Sequence, residues 1–386
     1  MTNFDLVPSR RRTNSVKWLR YPKDVLPMWV ADMDFPAPAP IRKKLRWAAE
    51  HGVLGYDFAT PRLKEVVAAR MDRLYGWQVE PDAVVDVTGI VSGFSVAARI
   101  ACSPKRGILL QTPVYNEFHE VKNNLGIPQL NAPFARRVEG NILRYEIDWD
   151  IFEKQVKKAG MFLLCSPHNP LGIIFSRSEL KRMAELCIQN GALIVSDEIH
   201  SELLLGGSAF TPMAKLSPEI ARHTITLVSP SKTFNVPGLF CGFAIVPDER
   251  LRQRYRKEAE RLRMHVNSMG LYAAEAAFSG SCDGWLAELR RYLTANRDFL
   301  AKYLGENMPA ALFTIPDATY LGWLDFRGTK IEGSPYQFFL KNARVALSEG
   351  RIFGEEGAGH VRLNFGAPRK TLAQGLERMR KALERA

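Results

Sequence analysis

Ser229-Pro230-Ser231-Lys232-Thr233-Phe234-Asn235 directly follows Thr224–Val228, a β-branched apolar run (TITLV). The run is typical of a buried strand, so Lys232 is predicted to lie in the loop at that strand's carboxyl end. A lysine amine becomes a nucleophile when desolvation or neighbouring positive charge lowers its pKa. The hydroxyls of Ser229 and Ser231 could hydrogen-bond an anion beside it. A solvated surface lysine in a serine-rich loop would have the same sequence, so this stretch alone does not determine the function.

Further apolar runs with the composition of buried strands alternate with helical patterns along the chain. This alternation predicts an α/β fold with a mostly parallel sheet between helices, and open sheets of that kind bind ligands at the carboxyl ends of their strands. The predicted strands are Val84–Val87, Gly107–Gln111, Met161–Cys165, Ala192–Ser196, Thr224–Val228 and Gly242–Val246.

The pattern changes near the turn Ser279-Gly280-Ser281, after which helices and short strands predict a smaller α+β domain. We therefore predict a large ligand-binding domain over residues 44–280 and a small domain over residues 281–386. Residues 1–43 are rich in proline, which disfavours regular helix and predicts an extended arm that joins the small domain. Within the arm, Met28–Phe35 reads either as an edge strand or docking segment, or as a segment that brings Ala31 and Asp32 to the rim of a site.

The net charge, the apolar runs and the cysteine content of the 386-residue chain argue against several classes of protein. Its net charge is +12, but the basic residues are dispersed and no nucleic-acid motif occurs, so a basic solvated surface is favoured over nucleic-acid binding. No apolar run is long enough for a membrane span. The 5 cysteines include no CxxC pair, which argues against a disulfide framework or a metal site and for the cytoplasm.

Polar residues gather where the predicted strands end. Taken singly, each has a plainer interpretation: Asp197 as a helix cap, Tyr115 as core, His200 as a satisfied polar group and Asn169-Pro170 as a turn. Their joint occurrence in this order favours a site. The residues are Ile90, Val91 and Ser92 in the predicted loop Thr88–Gly93, then Tyr115, Asn169, Asp197, His200, Ser229, Ser231, Lys232 and, further on, Arg362.

This set suits a phosphorylated, cationic heteroaromatic aldehyde. Lys232 would form an imine, and the carboxylate of Asp197 would keep a ring nitrogen protonated. Tyr115 would stack on the ring, while Asn169 and His200 would hydrogen-bond a ring oxygen. The phosphate would lie on the two serines and the loop before a helix, where free N–H groups favour anions. The cofactor that fits is pyridoxal 5′-phosphate (PLP).

The chain resembles the fold-type I PLP enzymes of the class I/II aminotransferase superfamily, whose large domain has a mostly parallel sheet of seven strands. A closer resemblance, over nearly the whole chain, is to the cystathionine β-lyase-like C–S lyases. The matching motifs are Thr13–Trp18, Met28–Phe35, Ser166-Pro167-His168-Asn169-Pro170-x-Gly172, Ser196-Asp197-Glu198-Ile199-His200, Ser229-x-Ser231-Lys232, Thr319–Asp325 and Val361–Asn364.

The resemblance implies a homodimer with active sites at the subunit interface, where Tyr56 reaches the neighbouring subunit's cofactor. It also implies that Arg362 binds the α-carboxylate of an amino-acid substrate, beside Ala31, Asp32, Asn169 and Tyr115. Lys232, Asp197 and Tyr56 would be the catalytic residues.

Two features depart from the aminotransferase pattern. The phosphate-binding arginine expected eight residues after the lysine is replaced by Phe240, as in the lyase group, and Leu171 with Ile173-Ile174 alters the segment after Asn169. The resemblance to the lyase group, which Phe240 supports, implies α,β-elimination from cystathionine or another S-substituted L-cysteine, giving a thiol, pyruvate and ammonia. Transamination is the alternative, and a specialised biosynthetic β-lyase or a non-catalytic PLP-binding regulator also remains open.

Overall fold

The computed structural model describes residues 2–386. Its strands are β1 (Leu26–Pro27), β2 (Val84–Val87), β3 (Gly107–Leu110), β4 (Gln129–Asn131), β5 (Ala135–Glu139), β6 (Ile142–Glu146), β7 (Ala159–Cys165), β8 (Leu193–Asp197), β9 (Thr224–Val228), β10 (Gly242–Ile245), β11 (Leu312–Phe313), β12 (Leu321–Asp325), β13 (Val345–Ala346), β14 (Ser348–Glu349) and β15 (His360–Asn364).

The helices enclose these strands. They are α1 (Val16–Leu19), α2 (Ala39–His51), α3 (Pro61–Tyr75), α4 (Ile90–Ala101), α5 (Asn116–Leu125), α6 (Trp149–Val156), α7 (Arg177–Gln189), α8 (Pro218–Arg222), α9 (Pro230–Thr233), α10 (Glu249–Arg261), α11 (Ser268–Phe278), α12 (Asp283–Asn307), α13 (Pro335–Phe338) and α14 (Arg369–Leu383). In the described part of the chain, no helix has the length and apolar character that crossing a membrane requires.

The larger sheet has seven strands in the order β2-β10-β9-β8-β7-β3-β4. Strand β10 is antiparallel to both neighbours and the remaining pairs are parallel. Every residue of β7 and β9 is buried, because helices cover both faces of the sheet. The predicted α/β fold with a mostly parallel sheet is confirmed.

A second sheet has the order β14-β15-β12-β11-β6-β5. Its β5–β6 hairpin comes from the middle of the chain and pairs through Ile142 with Phe313 of β11. The sequence reading missed this hairpin, although the Gly140-Asn141 turn between alternating strands is a recognisable signal. The division of the chain at residues 43 and 280 stays a prediction.

Candidate active site

The carboxyl ends of three neighbouring strands bring the central residues together. Asp197 ends β8, Asn169 follows β7, and Lys232 follows β9. Parallel pairing places these ends at one edge of the sheet, as the strand pattern predicted.

Lys232 lies in the short helix α9, and its Nζ donates to the backbone carbonyl of Ala31 at 2.8 Å. Burial lowers the pKa of Lys232 to about 8, and the positive charge of Arg362 acts in the same direction, against the opposing carboxylates of Asp32 and Asp197. The amine is therefore neutral far more often than that of a solvated lysine, which is the condition for imine formation.

Asp197 is 4% exposed, and the backbone N–H of Ile199 donates to its Oδ1 at 3.1 Å. Burial raises the pKa of Asp197 to about 7, although that hydrogen bond and the charge of Lys232 both act to lower it. A carboxylate held so far from water favours a cationic partner, such as a protonated ring nitrogen.

Helix α4 begins inside the segment that was predicted as a loop. Ile90, Val91 and Ser92 form its first turn, because Gly89 at φ 140° lets the chain enter the helix directly from β2. Their backbone N–H groups find no acceptor in residues 2–386. A helix N-terminus is a better anion site than a loop, since the helix dipole adds to the effect of the free N–H groups.

The hydroxyls of Ser229 and Ser231 lie 2.6 Å apart. Ser229 also donates to the carbonyl of Cys241 at 2.7 Å and accepts from the backbone N–H of Ser231 at 3.1 Å, as the cap of α9. Because the one proton of Ser229 is engaged by Cys241, Ser231 donates in the contact between the two hydroxyls. Ser231 could turn its proton toward an anion by giving up that single contact.

Arg362 on β15 is 5% exposed and forms no ion pair with a carboxylate of the described chain. Its guanidinium donates to Asn169 Oδ1 at 3.0 Å, to the carbonyl of Trp29 at 3.1 Å and to Ser348 Oγ at 3.3 Å. The Nε atom has no hydrogen-bond partner in residues 2–386, and burial lowers the pKa of Arg362 to about 10. A buried cation with a free donor is ready for a carboxylate.

His200 and Tyr115 border the same space. His200 is 2% exposed, its Nδ1 has no partner in the described residues, and burial lowers its pKa well below the ordinary value, with Lys232 and Arg362 adding to the effect. Tyr115 precedes α5 with a partly buried ring, and burial raises its pKa.

Of the remaining predicted residues, Ala31 and Asp32 lie beside Lys232. Both carboxylate oxygens of Asp32 accept from Arg10, at 3.0 and 2.6 Å, so this side chain is already paired. Tyr56 is fully exposed in the segment between α2 and α3 and is not brought to the site of its own chain. Whether these residues serve the reaction stays a prediction.

The sequence reading missed several residues that border the site. Tyr320 donates to the carbonyl of Ala31 at 2.8 Å, and Asn364 donates to the carbonyls of Val30 and Asp32, each at 2.7 Å. Tyr320 and Asn364 lie in segments that the sequence reading quoted as motifs. Their partners lie in the arm, 289 residues earlier for Tyr320 and 332 and 334 residues earlier for Asn364, a pairing that local patterns do not reveal.

The residues present fit PLP, the cofactor that the resemblance implies. The unpartnered Nδ1 of His200 and the free N–H groups of α4 are donors for a ring oxygen and a phosphate. The Asp197 carboxylate can accept a hydrogen bond from a protonated ring nitrogen. The Lys232 amine can form an imine with an aldehyde. Asp197 and His200 are buried, where an unpartnered polar group is costly, and each of the groups would be satisfied by one part of that molecule.

The sequence matches the family model described as aminotransferase class I and II over residues 25–379. The chain belongs to that family, as its motifs predicted. A relative from Bacillus subtilis (strain 168), named cystathionine beta-lyase PatB, is 36% identical over 390 residues, which cover 99% of this chain and 100% of the relative.

Two solved structures have the same fold. Cystalysin from Treponema denticola, which contains a pyridoxal 5′-phosphate cofactor, is 29% identical with a TM-score of 0.94, covering 100% of this chain and 99% of its own. The PLP-bound C–S lyase from Staphylococcus hominis is 30% identical with a TM-score of 0.91, covering 99% of this chain and 98% of its own. The predicted resemblance to the C–S lyase branch is confirmed.

Proposed function

We propose that this protein is a PLP-dependent C–S β-lyase that converts an S-substituted L-cysteine to a thiol, pyruvate and ammonia. Cystathionine is the first substrate to test. The observation that carries the proposal is the half-buried Lys232 amine, which donates to the carbonyl of Ala31 and whose pKa is lowered to about 8 by desolvation and by the charge of Arg362. The cystathionine beta-lyase and C–S lyase relatives support the same reaction.

The chain's own residues would hold the cofactor at both ends. The first turn of α4 and Ser231 would bind the phosphate, and Asp197 would bind the ring nitrogen. His200 and Asn169 would donate to the ring oxygen, with Tyr115 over the ring face. When bound, PLP supplies an electron sink for negative charge at the substrate's Cα.

Arg362 would fix the substrate by its α-carboxylate, in the bidentate geometry that a guanidinium favours. Lys232, once displaced from the cofactor by the substrate's amine, would remove the Cα proton as a neutral base. The protonated amine could then supply that proton to the departing sulfur, so that the thiol leaves without a free thiolate. These are the roles expected of a base whose pKa lies near the working pH.

We also propose a homodimer in which Tyr56 serves the partner's site, in the cytoplasm. Val53, Leu54, Tyr56 and Phe58 are 73%, 62%, 107% and 72% exposed, which leaves a run of apolar side chains in water. Such runs mark interaction surfaces, and Tyr56 contacts no site residue of its own chain. Phe240, 65% exposed at the position of the missing arginine, leaves the phosphate dependent on other donors.

The test is product analysis with L-cystathionine and no keto acid. The proposal expects pyruvate, ammonia and homocysteine in equal amounts over many turnovers. The matched control is Lys232→Ala, which removes both the covalent anchor and the base and should lower turnover by at least about 10³-fold. Near-wild-type activity of this variant would contradict the role of Lys232. Formation of a keto acid only when a second keto acid is added would instead identify transamination.

A further inference from the structure

The carbonyl oxygen of Ala31 is shared by two side chains. Lys232 Nζ donates to it at 2.8 Å, and the Tyr320 hydroxyl donates to it at 2.8 Å. A carbonyl oxygen has two lone pairs, so these two donors complete its hydrogen bonding. Tyr320 is 1% exposed and Ala31 is 9% exposed, so bulk water does not reach the hydrogen bond between them, while Lys232 is half-buried. The position of the lysine amine is thus tied to the tyrosine hydroxyl.

The carbonyl itself cannot turn away easily, because its neighbours in the arm are fastened too. Asn364 Nδ2 donates to the carbonyls of Val30 and Asp32, each at 2.7 Å, on either side of Ala31. The carbonyl of Trp29 accepts from Ser348 Oγ at 2.8 Å. These hydrogen bonds on neighbouring peptide groups restrict rotation of the Ala31 peptide. Its carbonyl therefore keeps one orientation, directed at Lys232.

Tyr320 is held in place by strained backbone. Thr319 has φ 75°, a region that β-branched residues rarely adopt, and its N–H donates to the carbonyl of Leu203 at 2.8 Å. The N–H of Phe365 donates to the carbonyl of Tyr320 at 2.9 Å. Backbone strain that the surroundings maintain is characteristic of sites that need a fixed geometry.

We propose that Tyr320 is a positioning residue for Lys232, acting through the carbonyl oxygen of Ala31. Tyr320 fixes the Ala31 carbonyl oxygen, which accepts the hydrogen bond from the Lys232 amine whenever Lys232 is not bonded to the cofactor. The nitrogen lone pair is then held in one orientation relative to the Cα proton of the substrate. The proposal rests on the proposed role of Lys232 as base. The charged groups that face Lys232 are Arg362, Asp32 and Asp197, and none of them fixes this carbonyl.

Tyr320→Phe tests the proposal with two measurements on the full-length protein. The first is exchange of the Cα proton of L-alanine for solvent deuterium in the PLP-loaded enzyme, which needs no leaving group. The variant is expected to lower kcat about tenfold with KM within about twofold, because positioning is lost while substrate contacts remain.

The second measurement is the pH dependence of PLP capture by the cofactor-free protein, followed by absorbance. Capture requires the neutral amine. Without the Tyr320 hydroxyl, the Ala31 carbonyl can accept more strongly from the ammonium form of Lys232. The pH midpoint of capture is therefore expected to rise by about half a unit, since a hydrogen bond to the charged form favours that form.

The matched control is Thr224→Val. Thr224 is also fully buried, and its hydroxyl donates to a backbone carbonyl, that of Ile220, at 2.7 Å, at the end of β9 opposite to Lys232. The control loses one buried hydroxyl-to-carbonyl hydrogen bond far from the site and should change neither measurement. If Tyr320→Phe does not fold, Asn364→Asp removes the amide donor that fastens the carbonyls of Val30 and Asp32 and should give the same loss of kcat.

The two proposals fail in distinguishable ways. A wild-type protein that captures no PLP would overturn the role of Lys232 and this inference together. Normal capture by the wild type, with Tyr320→Phe matching it in both exchange rate and pH midpoint, would overturn the role of Tyr320 alone.

Discussion

The guanidinium of Arg362 donates to Oδ1 of Asn169 at 3.0 Å. This contact joins the residue proposed to bind the substrate's carboxylate, on the second sheet, to a residue proposed to contact the cofactor, at the end of β7. If both proposed roles hold, this one buried hydrogen bond between the two sheets would position the substrate relative to the cofactor.

Arg362→Lys should lower kcat/KM for L-cystathionine by about 100-fold, because a lysine cannot reproduce the planar two-point contact with a carboxylate. Steady-state pyruvate formation measures the change. The matched control is the decarboxylated analogue of the substrate, on which wild type and variant should be equally poor. An equal loss on both compounds would contradict carboxylate binding by Arg362.

Asp197→Asn should stabilise the cofactor-free protein at high pH while removing activity. Because burial raises the pKa of Asp197 to about 7, the native state holds a proton that the unfolded chain releases above its ordinary pKa. The native carboxylate thus lowers stability as pH rises from about 4 to about 7.

At pH ~8 the variant is expected to gain about 1–3 kcal/mol in free energy of unfolding, and at pH ~4 the difference should disappear. Thermal or denaturant unfolding at both values checks this. A variant equally stable or less stable at the higher pH would show that the Asp197 carboxylate is not strained by burial.

Substitutions of Ser229 and Ser231 are expected to have different effects, the first on the stability of the fold and the second on the affinity for PLP. Ser229→Ala removes the cap of α9 and the bond to the Cys241 carbonyl, so it should lower the free energy of unfolding of the cofactor-free protein by about 1 kcal/mol. Ser231→Ala should leave that stability nearly unchanged and raise the Kd for PLP about tenfold. Equal effects of the two variants on both quantities would contradict this division.

Tyr56 can be tested in hybrid dimers of Tyr56→Ala with Lys232→Ala. If Tyr56 serves the partner's site, one site of each hybrid carries both changes and the other carries neither. The hybrid should then have about half the activity of wild type, since active sites in a dimer add independently. Activity no higher than that of Tyr56→Ala alone would place Tyr56 in its own chain's site or outside the reaction.

The sequence predicted the strand-end residues well because apolar runs and their polar ends are local features. Asp197 and Lys232 follow buried strands in the sequence, and parallel pairing had to bring them to one edge. The first turn of α4 was taken for a loop because Gly89 and Gly93 resemble turn residues. Gly93 instead lies against Leu227 of the sheet, where a side chain would crowd.

The arm contacts could not be predicted in the same way. Ala31 meets Tyr320 and Lys232 through its backbone carbonyl, and a carbonyl carries no sequence signal. The hairpin at Gly140-Asn141 had a local signal, but its partner strand β11 lies far along the chain. Long-range backbone pairing depends on the tertiary packing of the whole chain rather than on the local sequence.

The most direct test of the C–S lyase assignment is the absorbance spectrum of the PLP-loaded protein, recorded before and after L-cystathionine is added without a keto acid. A C–S lyase should show a band from lysine-bound PLP that persists or returns while pyruvate and thiol accumulate over many turnovers. A band that bleaches once and recovers only with an added keto acid would contradict the lyase assignment. The absence of any such band after incubation with PLP would contradict the role of Lys232 itself.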